Sequence, residues 1–222
     1  RFHRAQHLDE AALIYRMVQA NDPDNATALQ LLGVVAHQQE AHEQALAFFA
    51  RALAIDPGYA DAYSNSGIVL ATLGRLEEAL AGFDQALALV PDNPHTLNNR
   101  GNVLQDLGNH DAALASFDRA LAIAPDHVDA LKNRGIALRE LGRYDEALTS
   151  YRRALALAPD NADLHWNASL LLLLHGDFAN GWPEYEWGWP ARQRGTLLRH
   201  SHAPLWLRDR DIAGKTLLLW RE

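Results

Sequence analysis

Four asparagines stand at one constant step: Asn65, Asn99, Asn133 and Asn167, spaced i, i+34. A carboxamide carries both a donor and an acceptor, so a row of them can pair with both backbone groups of an extended peptide, largely regardless of its sequence. That is recognition chemistry rather than bond-making. The residues suited to bond-making are scattered. The chain has no cysteine, which removes disulfides, thiolate–zinc and iron–sulfur sites and thiol catalysis. His3 and His7 have the i, i+4 spacing of a metal-binding helix pair, but no third ligand stands near them. Gly214-Lys215-Thr216 ends like a phosphate-binding loop, yet Asp209 replaces the first glycine and a strand-like run, 217–220, follows where a helix should begin. Asp209-Arg210-Asp211 reads as a polar turn, and His200 and His202 as parts of a basic loop. His37, His42 and His110 are expected to be solvated. No nucleophile, base and orienting acid assemble, so no catalytic, metal or cofactor site is expected in this chain.

The asparagines are positioned by a wider period. Pro23, Pro57, Pro91, Pro125 and Pro159 recur at the same i, i+34 step, as do Gly33, Gly67, Gly101 and Gly135. Ala11, Ala45, Ala79, Ala113 and Ala147 keep the register, with Tyr15, Phe49, Phe83, Phe117, Tyr151 and Tyr185 four residues later. Such a period marks a solenoid or array. Within 94–127, Leu97, Val103 and Leu104 give a first helix one apolar face. Gly108 ends that helix as a residue able to adopt positive φ. Asp111 opens a second helix, where a carboxylate favours the N-terminus. Ala113, Phe117 and Ala120 share its inner face. Pro125 ends it, and Asp126 is expected to cap the next. Gly74, Gly142 and Gly176 repeat the Gly108 role, and Glu40 interrupts it. One such unit cannot bury its apolar face, so neighbours must stack.

This pattern resembles the tetratricopeptide repeat (TPR) family, which has a small residue eight positions in, alanine at 20, an aromatic at 24, alanine at 27 and proline at 32. The resemblance implies an all-α fold, a right-handed superhelical solenoid of helix–turn–helix repeats. It implies a half repeat at 1–25, full repeats at 26–59, 60–93, 94–127 and 128–161, and a divergent repeat at 162–190. It further implies that first helices line a concave groove through positions 2, 5, 6, 9, 12 and 13. Position 6 reads Leu31 and then the four asparagines, a row similar to the TPR arm of O-linked N-acetylglucosamine transferases. On this reading Asn65, Asn99, Asn133 and Asn167, with Asn102, contact a peptide, and Lys132 and Arg139 select its side chains. The competing reading has the asparagines bonding across repeats. Asp61, Asp106, Asp129, Glu140 and Asp163 outnumber those two cations, so a basic or neutral extended partner is expected. Aspartates at position 2 also exclude the carboxylate clamp that binds acidic tails. Arg100 and Arg134 occupy position 7, where the family prefers leucine. Their stems should pack while their heads reach water or a carboxylate.

The end of the array departs from the pattern. Ser169 and Gly181 replace the expected glycine and alanine. Pro183 is tolerable only in a first helical turn. Trp182, Tyr185, Trp187 and Trp189 are too apolar to face water together, so they should cap the solenoid or dock on a following domain. Gly181-Trp182-x-x-Tyr185-Glu186-Trp187, then Pro204-x-Trp206 and 214–219, resemble bacterial TPR proteins with a C-terminal glycosyltransferase-like domain. Residues 191–222, a basic tail, are accordingly expected to begin a truncated domain. The run ends at Glu222 before any donor-sugar site, so no catalytic residue carries over.

The net charge is −8, made of −12 over 1–190 (13 basic, 25 acidic) and +4 over 191–222 (7 basic, 3 acidic). An acidic body argues against nucleic-acid binding. The longest apolar run, 168–174, broken by Ser169, is too short to span a bilayer. The expectation is a cytoplasmic, non-enzymatic scaffold for a protein or extended peptide, with no nucleic-acid or membrane partner and no cofactor. One alternative is the substrate-presenting arm of a glycosyltransferase. Another is self-assembly through an apolar end carrying Leu13, Ile14 and Val18.

Overall fold

The computed structural model describes residues 8–192, with side chains from Leu8 through Trp187. The sequence period becomes pairs of helices. A lone α1 (Leu8–Asn21) precedes α2 (Ala26–Gln38) and α3 (His42–Ile55), α4 (Ala60–Thr72) and α5 (Leu76–Leu89), α6 (Pro94–Asp106) and α7 (His110–Ile123). Then come α8 (Val128–Glu140) and α9 (Tyr144–Leu157), and α10 (Ala162–Leu174) and α11 (Phe178–Arg192). The described residues are helical, without a strand, and stack as an α-solenoid.

The turn inside each pair is set by one residue with positive φ. At Gly108 φ is 77°, the Asn109 N–H donates to the Leu104 carbonyl at 2.8 Å, and the Gly108 N–H donates to Gln105 at 2.9 Å. Those two bonds satisfy carbonyls that the helix end would leave unpaired. Gly74, Gly142 and Gly176 adopt the same conformation. Glu40 does too, at φ 61°, with the Ala41 N–H donating to Ala36 at 2.9 Å. The side chain departs from the pattern, but the backbone does not. A left-handed non-glycine residue costs roughly 1–2 kcal/mol, and glycine returns part of that through its freer unfolded chain. Glu40→Gly should therefore raise stability by about 0.5–1 kcal/mol in urea unfolding; a lower midpoint would show that the glutamate side chain stabilises the turn.

The turns between pairs differ from expectation at one point. Asp126 does not cap α8. His127 does, its Nδ1 accepting from the Ala130 N–H at 3.3 Å. The Pro-Asp-x turn has fixed length, so the cap falls on the residue after the aspartate. Asn25, Asn93 and Asn161 fill the same place and accept from the N–H groups of Ala28, Thr96 and Leu164.

The core is built on glycine–aromatic pairs at i, i+16: Gly33 with Phe49, Gly67 with Phe83, Gly101 with Phe117, Gly135 with Tyr151. A Cβ added to Gly101 would lie 2.7 Å from Phe117 Cζ and closer still to Cε1. Only a hydrogen on the first helix lets the ring of the second lie this close. Phe117 is fully buried and shares a cluster with Leu131, Ala137 and Leu138 of the next pair.

Tyr151 places a hydroxyl where Phe49, Phe83 and Phe117 have none. It is fully buried, and its oxygen has no hydrogen-bond partner among the described residues. Burial pushes the phenol up to about 12, against a smaller opposing pull from Arg139. The folded pKa thus exceeds the unfolded value, so the unfolded chain ionises first. The stabilisation is whole below about pH 10 and falls as pH rises toward 12, by up to roughly 2–3 kcal/mol. Tyr151→Phe should gain about 1 kcal/mol at neutral pH and lose that alkaline component, which parallel urea titrations at pH 7 and 11 would resolve.

In the last pair Ser169 takes the glycine's place. Its Oγ donates to the Trp166 carbonyl at 2.7 Å, and Tyr185 is only half-buried, against the rings of Trp166 and Trp182. Pro183 is not in the first turn but the sixth residue of α11. The helix gives up the N–H that proline lacks and is held instead by its extensive packing on α10. Gly181 permits that approach, since a Cβ there would meet Leu173 Cδ2 at 2.7 Å.

Candidate peptide-binding groove

The first helices of successive pairs touch: α2 meets α4, α4 meets α6, and α6 meets α8. Successive second helices among the described residues are not in comparable contact. The first helices therefore crowd the inside of the curve, and their free faces form its floor.

The asparagine row divides on that floor. Asn133 donates through Nδ2 to the Oδ1 of buried Asn98, at 3.0 Å, across the junction of two pairs. The Asn167 Oδ1 lies 3.5 Å from Arg139 Nη1, at the limit of a hydrogen bond. Asn65, Asn99 and Asn102 are half-buried and have no side-chain partner among the described residues. The residue 35 positions earlier separates Asn133 from Asn99. Before Asn133 it is Asn98, long enough to reach, whereas before Asn99 it is Ser64, already bonded to Thr96 at 3.1 Å. Lys132 sits 3.6 Å from Asp129, and Arg139 donates to Glu140 at 2.8 Å. Lys132, Arg139 and Asn167 line one cleft of about 450 Å³ with Ile136, Asp163, Trp166 and Leu170. Asp61, Asp106, Asp129, Glu140 and Asp163 are exposed.

Arg100 and Arg134 reach carboxylates, as their amphipathic stems allow, and each joins three helices. Arg100 Nε donates to Asp84 at 2.7 Å and Nη1 to Ser116 Oγ at 2.8 Å. Arg134 repeats this with Asp118 at 2.6 Å and Ser150 at 2.7 Å. Sequence reasoning missed the partners, although Asp84 and Asp118, and Ser116 and Ser150, recur at the period of the array.

The histidines are not simply solvated. His37 and His42 are half-buried and pair through Nδ1 at 3.2 Å. Burial, then the neighbouring His42, lowers the His37 pKa. The His110 Nδ1 is buried without a partner. They lie where a first helix ends and a second begins, so packing of the pair covers them. His165 faces the Glu184 carboxylate through Nδ1 and the Pro159 carbonyl through Nε2 at 2.6 Å, with Trp187 stacked on its ring at 4.0 Å. Trp182 and Trp187 are still 39% and 42% exposed. The side chain of Trp189, the pair His3 and His7, and 193–222 with its histidines, Asp209 and Lys215 lie outside the described residues. Among the described residues no three His, Asp or Glu side chains gather as metal ligands, and no helix is long and apolar enough to cross a membrane.

Three tetratricopeptide repeat family models match the chain, at residues 1–60, 36–99 and 92–160. The chain belongs to the tetratricopeptide repeat family. It is similar in structure to PilW, described as a widely conserved type IV pilus biogenesis factor, with 22% identity, TM-score 0.76 and 88% of each chain covered. It is similar to Pseudomonas aeruginosa pilF, with 23% identity, TM-score 0.71 and 78% of each chain covered. It also resembles YrrB, described as a TPR protein with an unusual peptide-binding site, at 23% identity and TM-score 0.68, covering 83% of this chain and 95% of that one. A search of curated proteins finds no match. At these identities the likeness shows the fold alone.

Proposed function

We propose that this TPR array holds an extended protein segment along its concave floor, without chemistry of its own. The observation that carries the reading is the run of carboxamides on the inner helices: Asn65, Asn99 and Asn102 are half-buried, presented on one face and without a side-chain partner among the described residues. A half-buried carboxamide without a partner gains by pairing with a peptide backbone. Asn133 serves the array first and the partner only with its remaining donor and acceptor. The acidic rim favours a basic or neutral segment. The test uses nonapeptides selected from a displayed random library. Asn65→Ala combined with Asn99→Ala should weaken their binding about tenfold, the loss of one to two net hydrogen bonds, with the far-UV helical signal unchanged. Undiminished binding would exclude the role.

The exposed indoles of Trp182 and Trp187 favour a second reading, in which the array presents acceptors to a neighbouring glycosyltransferase-like domain. The intact mass of the protein from its source cells decides it: a mass near 24.7 kDa would remove it. The exposed face of α1, with Leu13, Ile14 and Val18, favours stacking on another copy. A monomer by light scattering across a wide concentration range would exclude that.

A further inference from the structure

The floor changes chemistry along its length. At α6 the groove positions hold Asn98, Asn99 and Asn102. One pair later they hold Lys132, Asn133 and Ile136, and one further Trp166, Asn167 and Leu170. Carboxamides thus give way to an apolar corner formed by Ile136, Trp166 and Leu170. The Trp166 ring is braced from behind by Tyr185, centroids 4.9 Å apart. Leu170 is 38% exposed. A rigid aromatic wall beside an open leucine suits an anchor side chain, the kind of pocket that carries most of the energy of an interface.

The charges around this corner decide what stands beside the anchor. Lys132 is matched by Asp129, and Arg139 by Glu140 and the Asn167 oxygen. Asp163, exposed on the same cleft, has no cationic partner among the described residues. The uncompensated charge is therefore negative.

Resting on the groove reading above, we propose that the α8–α10 cleft is the anchoring subsite of the groove. Its occupant is a large apolar side chain of an extended peptide, with Lys or Arg directly beside it to meet Asp163. The apolar side chain packs between the Trp166 indole and Leu170, and the peptide continues across the asparagines toward α4.

The experiment selects random nonapeptides on the full chain and measures binding of the enriched sequences by fluorescence anisotropy. Enriched sequences should share an aromatic or large aliphatic residue next to Lys or Arg. Trp166→Ala and Leu170→Gln should each weaken binding about tenfold or more. Asp163→Asn should weaken it several-fold and flatten its salt dependence. Leu170→Gln and Asp163→Asn alter exposed side chains, so they guard against a loss caused by an unfolded end. Peptides that bind but lack the apolar–basic pair, or that bind the Leu170→Gln and Asp163→Asn proteins equally well, overturn this subsite and leave the groove reading intact. Failure to enrich any peptide overturns both.

Discussion

Phe117→Ala should lower the stability of the array by about 3–5 kcal/mol, the range for truncating a buried aromatic. The ring is fully buried, lies on Gly101 within its own pair, and shares a cluster with Leu131 and Leu138 of the next. Its loss therefore opens a void at an interface as well as inside a unit. In an array stabilised by nearest neighbours both terms fall at once. Urea unfolding monitored by circular dichroism checks the value, and a loss below about 1 kcal/mol would place the ring outside the core. A broadened transition is part of the expectation, because weakening one internal interface uncouples the two halves of the array.

The second large effect comes from the opposite partner. Gly101→Ala should cost about 1–3 kcal/mol by overpacking, although alanine is the better helix former. The added methyl would meet ring carbons of Phe117 at 2.7–2.8 Å. Combined with Phe117→Ala, the same methyl enters empty space and should cost little. The double-mutant cycle should thus show a coupling of at least about 1 kcal/mol. Additive losses would mean that the glycine serves something other than this ring.

The periodic features were legible because each follows from one local requirement. Gly108 needs positive φ, Ala113, Phe117 and Ala120 need one inner face, and each helix of a pair needs an apolar stripe. These repeat, so a single sequence displays them several times. The groove was legible only as a set of positions. Asn65, Asn99 and Asn133 look alike in the sequence, yet only Asn133 is bonded across the junction. What separates Asn133 from Asn99 is the residue 35 positions earlier, Asn98 against Ser64, which matters only once stacking brings two first helices together. The Arg100–Asp84–Ser116 link was hidden for the same reason, since it joins three helices at once. Pro183 was misplaced because its tolerance depends on the packing of α11 against α10 rather than on local propensity.

The pattern of helix contacts has a consequence for how the molecule comes into being. Among the described residues, extensive contacts join only adjacent or next-but-one helices, from α1·α2 through α10·α11. Among the described residues no segment waits for a distant one, so ordering any of these helices closes only short loops and pays little chain entropy. A nascent chain can settle pair by pair as it leaves the ribosome, each new hairpin templated by the one before it. The proposed binding surface would then be laid down from its carboxamide stretch toward its apolar corner, and the corner would be the last part of the floor to form.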